Sequence, residues 1–330
     1  IVTDPPYGLS FMGREWDHGI PGVPFWTAAL RVAKPGAHLV AFGGTRTYHR
    51  LACAIEDAGW EIRDCLMWLY GSGFPKSLDV SKAIDKAAGA EREVIGEHAR
   101  GRIAYGGYAK GALAQGARPS LCMGDGNVTA PATDAARAWS GWGTALKPAW
   151  EPILLARKPL AGTVAANVQR HGTGALNIDG CRVEAKGRPA IESRSEASVS
   201  TFGDGLNGSR AVGTTDLGRW PANVVLDETA AAQLGEPSRF FYCPKASRAE
   251  RGEGNAHPTV KPVALMRWLV RLVTPPGGLV LDPFTGSGST GVACVHESMR
   301  FVGIEQVEEY ADIAVQRLRA ARMAQREVVK

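Results

Sequence analysis

The chain has 330 residues, with 38 lysines and arginines against 33 aspartates and glutamates, for a formal charge of +5. That length can bury a substantial core in one large or two ordinary domains, and the mild positive balance favours a polyanionic partner without a basic block to concentrate it. No membrane-length apolar run is present, the six cysteines form no C-x-x-C pair and the seven histidines lack ligand spacing, which argues against a membrane protein or a metal frame. The expectation is a soluble, cytoplasmic protein whose cysteines are buried thiols.

Ile1-Val2-Thr3 reads as a strand, and Asp4-Pro5-Pro6-Tyr7 as the turn at its carboxyl end, where open α/β sheets bind ligands. The two prolines fix φ and stiffen the turn. Asp4 offers a carboxylate and Pro5 a backbone carbonyl. Two acceptors aimed at the N–H bonds of an aromatic amino group would help its nitrogen localise a lone pair and attack an electrophilic methyl. Tyr7 offers a flat face for a base swung out of a duplex. The plain alternative is a strand-ending turn that merely contains prolines.

Strands and helices then alternate. Phe25 to Lys34 is patterned as a helix stopped by Pro35-Gly36, Ala37 to Phe42 as a buried strand, Thr45 to Ala58 as a helix ended by Gly59, and Trp60 to Leu69 as another strand. Gly43-Gly44-Thr45-Arg46 falls at a strand's carboxyl end, close to the same active face. Leu78 to Ala88 continues as a helix. From about Gly89 to Gly143 the chain is rich in Gly, Ala and Ser, which fits a mobile lid, a DNA-facing insert or a disordered insertion. Glu151 to Arg157 is expected to be the last sheet strand of this stretch.

From Leu160 to about Ala256 the rhythm breaks. Gly218-Arg219-Trp220 and Phe240-Phe241-Tyr242-Cys243-Pro244-Lys245 interleave basic and aromatic residues in loops that could read base edges and phosphates. For a single residue such as Arg219 or Lys245, an ordinary surface or packing role is the better expectation.

The rhythm returns from His257. Lys261 to Val273 reads as a helix opened by Pro262, Leu279-Val280-Leu281 as a strand, Asp282 to Gly291 as a glycine-rich bend, and Val292 to Glu297 as a helix. Phe301 to Glu305 reads as the next strand, ending in an acid. The last helix, Val307 to Arg322, turns Val307, Tyr310, Ala311, Ile313, Ala314 and Leu318 to one side as a core stripe. Gly286, Gly288 and Gly291 stand at the G-x-G-x-x-G spacing that dinucleotide sites also use, but the bend is preceded by an acid, which argues against a pyrophosphate. Asp282 suits the ammonium of an amino-acid-like ligand, and Glu305 could accept both ribose hydroxyls, with a solvated helix start as its plain alternative. Acid, glycine bend and second acid together suit S-adenosylmethionine.

With Asp4-Pro5-Pro6-Tyr7 ahead of Asp282-Pro283-Phe284-Thr285-Gly286-Ser287-Gly288, the chain resembles the DNA amino-methyltransferases, specifically the permuted β group that carries the catalytic motif first. His257-Pro258-Thr259-Val260-Lys261-Pro262 is similar to the family's helix-opening cofactor motif, and Trp68 to Ser77 to its target-base segment. Lys147-Pro148-Ala149-Trp150-Glu151-Pro152 and Ala156-Arg157-Lys158-Pro159 resemble phage and prophage members.

The resemblance implies a circularly permuted, seven-stranded Rossmann-like α/β sheet, S-adenosylmethionine as donor, and double-stranded DNA as partner, with adenine N6 as the acceptor. It assigns catalysis to Asp4, Pro5, Pro6 and Tyr7. It assigns the cofactor to Thr259, Lys261, Pro262, Asp282, Phe284, Gly286, Ser287, Gly288 and Glu305. It divides the chain into a catalytic half at 1–159, a target-recognition insert at 160–256 and a cofactor half at 257–330. A homodimer and a restriction endonuclease partner are further expectations. Ile1 in place of Met, close to the catalytic turn, is read as an incomplete frame lacking an upstream strand and helix. Cytosine N4, which uses the same amino-group logic, is the near alternative; adenine is favoured because the family more often shows Ser than Asp at the first motif position for cytosine. A non-catalytic prophage relic and a Rossmann oxidoreductase are the others.

Overall fold

The computed structural model of the chain describes residues 1–9, 19–71, 73, 77–97, 127–192, 210–243 and 260–328. They fall into two compact units, Ile1–Gly71 with Trp150–Lys330, and Ser72–Ala149.

The larger unit is built on a five-stranded sheet. Strand β1 (Val2–Thr3) pairs in parallel with β2 (His38–Phe42). Between them lies helix α1 (Val23–Val32), and α2 (Tyr48–Asp57) leads on to β3 (Glu61–Leu69). All five residues of β2 are buried because both sheet faces are covered, which is why its sequence is a continuous apolar run after His38. Alternate residues face alternate layers. Leu39 and Ala41 join Trp26, Leu51, Ile55 and Trp60 on the α1 and α2 side, whereas Val40 and Phe42 join the core on the other face. The predicted boundaries here hold to within three residues.

The smaller unit carries α3 (Val80–Ala87), β4 (Val94–Glu97), β5 (Asn127–Thr129) and α4 (Asp134–Ala138), with β4 and β5 antiparallel. Its centre is a buried carboxylate. Asp85 accepts hydrogen bonds from Arg92 Nη1 at 2.6 Å, Ala132 N at 2.9 Å, Thr133 N at 3.0 Å and Thr133 Oγ1 at 2.8 Å. Burial opposes its ionisation, but these donors prevail and hold its pKa at about 2. The stretch from Gly89 to Gly143 therefore holds ordered structure at both ends, and residues 98–126 lie outside the described residues.

The chain returns to the sheet as β6 (Trp150–Arg157), antiparallel to both β2 and β3. It is a central strand of the sheet. Helix α5 (Val164–His171) follows, with Thr163 as its N-cap, and the side chain of Asn167 ties it to the carbonyls of Pro35 and Thr173. Next come the antiparallel pair β7 (Arg188–Glu192) and β8 (Arg210–Thr215), then β9 (Val224–Leu226) and α6 (Glu228–Leu234). Strand β9 pairs in parallel with β3 and completes the sheet order β1-β2-β6-β3-β9. The middle stretch thus supplies a sheet strand, although its sequence shows no strand-helix rhythm.

Helix α7 (Val263–Val273) buries eight of its eleven residues, among them Leu265, Trp268 and Leu269, against the β1, β2 and β6 face. Burial on this scale contributes roughly 1.5–3 kcal/mol for each large apolar side chain. It leads to β10 (Leu279–Asp282), α8 (Ser289–His296), β11 (Arg300–Gly303) and α9 (Glu308–Val328). The parallel pair β10 and β11 meets β1, where Thr3 Oγ1 donates to Asp282 Oδ1 at 2.6 Å. The two ends of the chain are joined at that bond. Of the described cysteines, Cys181 and Cys294 are buried, whereas Cys53 is exposed, contrary to the expectation of buried thiols throughout. No helix among the described residues is long and apolar enough to cross a membrane.

Candidate active site

The Asp4-Pro5-Pro6-Tyr7 turn follows β1 directly, and Thr47 Oγ1 donates to the Tyr7 carbonyl at 2.7 Å, pinning the turn from the start of α2. Gly44 lies against the Tyr7 ring, where an added Cβ would stand 3.3 Å from Cδ2. The turn opens onto a charged cluster. Lys261 Nζ lies 2.8 Å from Asp4 Oδ2, 3.3 Å from Glu151 Oε2 and 3.1 Å from the Tyr7 hydroxyl. The Tyr7 hydroxyl lies 2.9 Å from Asp4 Oδ1 and 3.0 Å from Glu151 Oε2. The ammonium also sits over the rings of Tyr7 and Phe42, at 5.3 and 4.9 Å from their centroids.

The charges decide the protonation states. Burial alone would lower the Lys261 pKa, but Asp4 and Glu151 overcome it and hold the ammonium above the ordinary lysine range. Burial, reinforced by the charges of Asp4 and Glu151, pushes the Tyr7 phenol well above its usual value. Tyr70 is pushed to about 12 by burial and by the Glu151 charge. At neutral pH the cluster therefore holds a cationic lysine and a neutral Tyr7 beside Asp4 and Glu151.

The glycine bend joins β10 to α8. Gly288 caps α8 at φ +84°, a left-handed conformation, and an added Cβ would stand 2.9 Å from Ala314 Cβ on α9. Only glycine lets the last helix approach this closely. Asp282 accepts from Thr3 Oγ1 and Thr290 Oγ1, both at 2.6 Å, and from Phe284 N at 3.1 Å. Burial raises its pKa to about 6 against those three donors. Glu305 lies just beyond β11, with Oε2 accepting from Gly286 N at 2.7 Å and Oε1 from Val307 N at 2.9 Å. Arg317 Nη1 donates to the Ser287 carbonyl at 2.6 Å and lies 2.9 Å from Ser287 Oγ.

One cavity of about 280 Å³ brings the two motifs together: Asp4, Pro6 and Lys261 line it with Asp282 to Ser287 and with Glu305 to Val307. Phe25 and Phe284 stack at its wall, with ring centroids 4.7 Å apart. Compared with known sequences, residues 1–316 match the N6_N4_Mtase family model, described as DNA methylase. The chain belongs to that family. The family's methyl donor is S-adenosylmethionine.

Among relatives, the chain is 37% identical to the type II methyltransferase M.Cfr9I of Citrobacter freundii over 102 residues, 26% of this chain and 34% of that protein. It is 25% identical to the type II methyltransferase M.HindIII of Haemophilus influenzae over 295 residues, 88% of this chain and 65% of that protein. The chain thus spans less than two thirds of the length of either relative. The crystal structure of the M1.HpyAVI–SAM complex covers 96% of this chain and 87% of its own, at 17% identity and a TM-score of 0.42.

Of the residues expected in the site, Asp4, Pro6, Lys261, Asp282, Phe284, Gly286, Ser287 and Glu305 line the common cavity. Tyr7 borders it through Asp4 and Lys261, Pro5 is buried, and Pro262 and Gly288 cap α7 and α8. Thr259 lies outside the described residues, as does most of the segment from Ser72 to Lys76. Trp68, on β3, has a buried indole N–H with no hydrogen-bond partner among the described residues. Lys261 was expected on the cofactor, and its ammonium rests on Asp4 and Glu151. Glu151, Arg317 and Phe25 have no place in the sequence-based site. Glu151 carried a signal, an acid inside the otherwise apolar Trp150 to Ala156.

Proposed function

We propose that the chain is an S-adenosylmethionine-dependent DNA methyltransferase that modifies adenine N6 on a base turned out of the double helix. The observation that supports this best is the single cavity lined by Asp4 of the first motif and by the glycine bend of the second. A direct transfer needs acceptor and donor side by side, and no covalent enzyme intermediate is required.

The residues fit the donor. Glu305 is held by two backbone N–H groups and keeps lone pairs to accept ribose hydroxyls. Phe25 and Phe284 offer an aromatic wall suited to an adenine ring. Asp282, with three protein donors already on its carboxylate, orders the bend and β1 in addition to facing the cavity. When bound, the donor supplies a methyl group made electrophilic by a sulfonium. Asp4 and the Pro5 carbonyl accept the amino N–H bonds, orient the nitrogen's lone pair and favour the positive charge that develops there. Tyr7 and the loops of 160–256 serve the base and its sequence context. The type II relatives make a modification role, with or without an endonuclease, the natural setting.

Adenine is preferred because the first motif begins with Asp4. Nucleoside mass spectrometry of DNA from a methylation-deficient host expressing the chain tests this choice. N6-methyladenine is expected. N4-methylcytosine would overturn the base assignment and leave the amino-group chemistry intact, and neither product would overturn both.

A further inference from the structure

The geometry points to Glu151 as a positioning residue of the acceptor site, which pairs with Lys261 and accepts the Tyr7 hydrogen bond so that Asp4 can turn to the amino group. This inference rests on the assignment of Asp4 to the acceptor.

Lys261 is a buried cation whose ammonium reaches three oxygens, on Asp4, Glu151 and Tyr7. A buried ammonium left without a counter-ion is strongly disfavoured. If Asp4 were its sole carboxylate, Asp4 could not accept a base's N–H bonds without giving up that neutralisation. Glu151 removes the conflict, because the ammonium can stay ion-paired through Glu151 while Asp4 redirects its lone pairs.

The Tyr7 hydroxyl makes the same point. It carries one hydrogen and has a carboxylate oxygen on either side, Asp4 Oδ1 at 2.9 Å and Glu151 Oε2 at 3.0 Å. Directed at Asp4, that hydrogen occupies an acceptor that the base needs. Directed at Glu151, it frees that acceptor and leaves the phenol neutral and fixed. No proton leaves the cluster in this exchange; only hydrogen-bond direction changes. Glu151 reaches this place on β6, through antiparallel pairing of β6 with β2 and β3.

Glu151→Gln keeps the size of the side chain and removes its charge. Single-turnover transfer of tritiated methyl from S-adenosylmethionine to unmethylated genomic DNA should fall roughly 10- to 100-fold, with cofactor affinity unchanged. Adding Lys261→Gln to Glu151→Gln should recover part of the loss, since the ammonium that holds Asp4 is then gone. A merely structural Glu151 predicts that the double variant is slower than the single one. Wild-type transfer in Glu151→Gln, or a slower double variant, would overturn the inference. If Glu151→Gln does not fold, Glu151→Asp carries the test: slower transfer at unchanged cofactor affinity supports the role, and wild-type transfer refutes it. Asp4→Ala in the same assay separates the two levels. Full transfer without Asp4 would mean that the parent reading failed, whatever Glu151 does.

Discussion

Replacing Arg317 by Ala should weaken S-adenosylmethionine binding while leaving the fold in place. Arg317, on α9, grips the glycine bend through its backbone, with Nη1 donating to the Ser287 carbonyl at 2.6 Å and standing 2.9 Å from Ser287 Oγ and 3.3 Å from Ser289 Oγ. A single nitrogen cannot serve three acceptors at full strength, so the loss is taken as one charge-assisted hydrogen bond, about 1.5–3 kcal/mol. If all of it goes into ordering the bend for the ligand, affinity falls roughly 10- to 150-fold, with partial exposure of the guanidinium favouring the lower part of the range. Calorimetric titration of the purified variant with S-adenosylmethionine, alongside its thermal unfolding curve, measures this. An affinity within about twofold of wild type would refute the reasoning, and a lowered unfolding temperature at unchanged affinity would show that the contact serves only the fold.

Gly288→Ala should destabilise the larger unit by roughly 2–5 kcal/mol, combining the left-handed backbone with a methyl pressed onto Ala314. Urea unfolding checks it, and an unshifted midpoint would contradict the glycine's assigned role. Asp282→Asn should change how stability depends on pH. The folded-state pKa of about 6 lies above the ordinary aspartate value of 3.8, so the stability tied to the protonated carboxyl is complete below about pH 4 and lost as pH rises through 6. Wild-type stability measured relative to Asp282→Asn should therefore fall across that window, by about 3 kcal/mol at most. Parallel unfolding profiles of the two proteins would contradict a raised pKa at this position.

The parts of the fold that the sequence reveals are those where burial imposes a local period. Strand β2 is legible because both its faces are covered, and α9 because Tyr310, Ala314 and Leu318 recur on one side. Strand β9 is not legible: it has three residues, starts three positions after Pro221, and pairs with β3 at a separation of 157 residues (Met67 with Val224), which leaves no local pattern.

The site divides the same way. The two motifs announce their own residues, because the chemistry restricts which side chains can occupy a tight turn. Glu151 and Arg317 act through partners remote in sequence, and in one dimension each resembles an ordinary charged residue. Asp282 shows how an expected site residue can conceal a second role, since its Thr3 donor lies 279 residues away. The reach of Lys261 to Asp4 is equally invisible before β1 and α7 are placed side by side.

The central claim is that Asp4 acts on the acceptor and the glycine bend on the donor. Asp4→Ala tests it most directly, with methyl transfer to DNA and S-adenosylmethionine affinity measured on the same preparation. Removing one preorganised electrostatic contact should lower the transfer rate on the order of 100- to 1000-fold, and cofactor affinity should stay within about threefold of wild type. Near-wild-type transfer, or a cofactor affinity that collapses in step with the rate, would contradict the account.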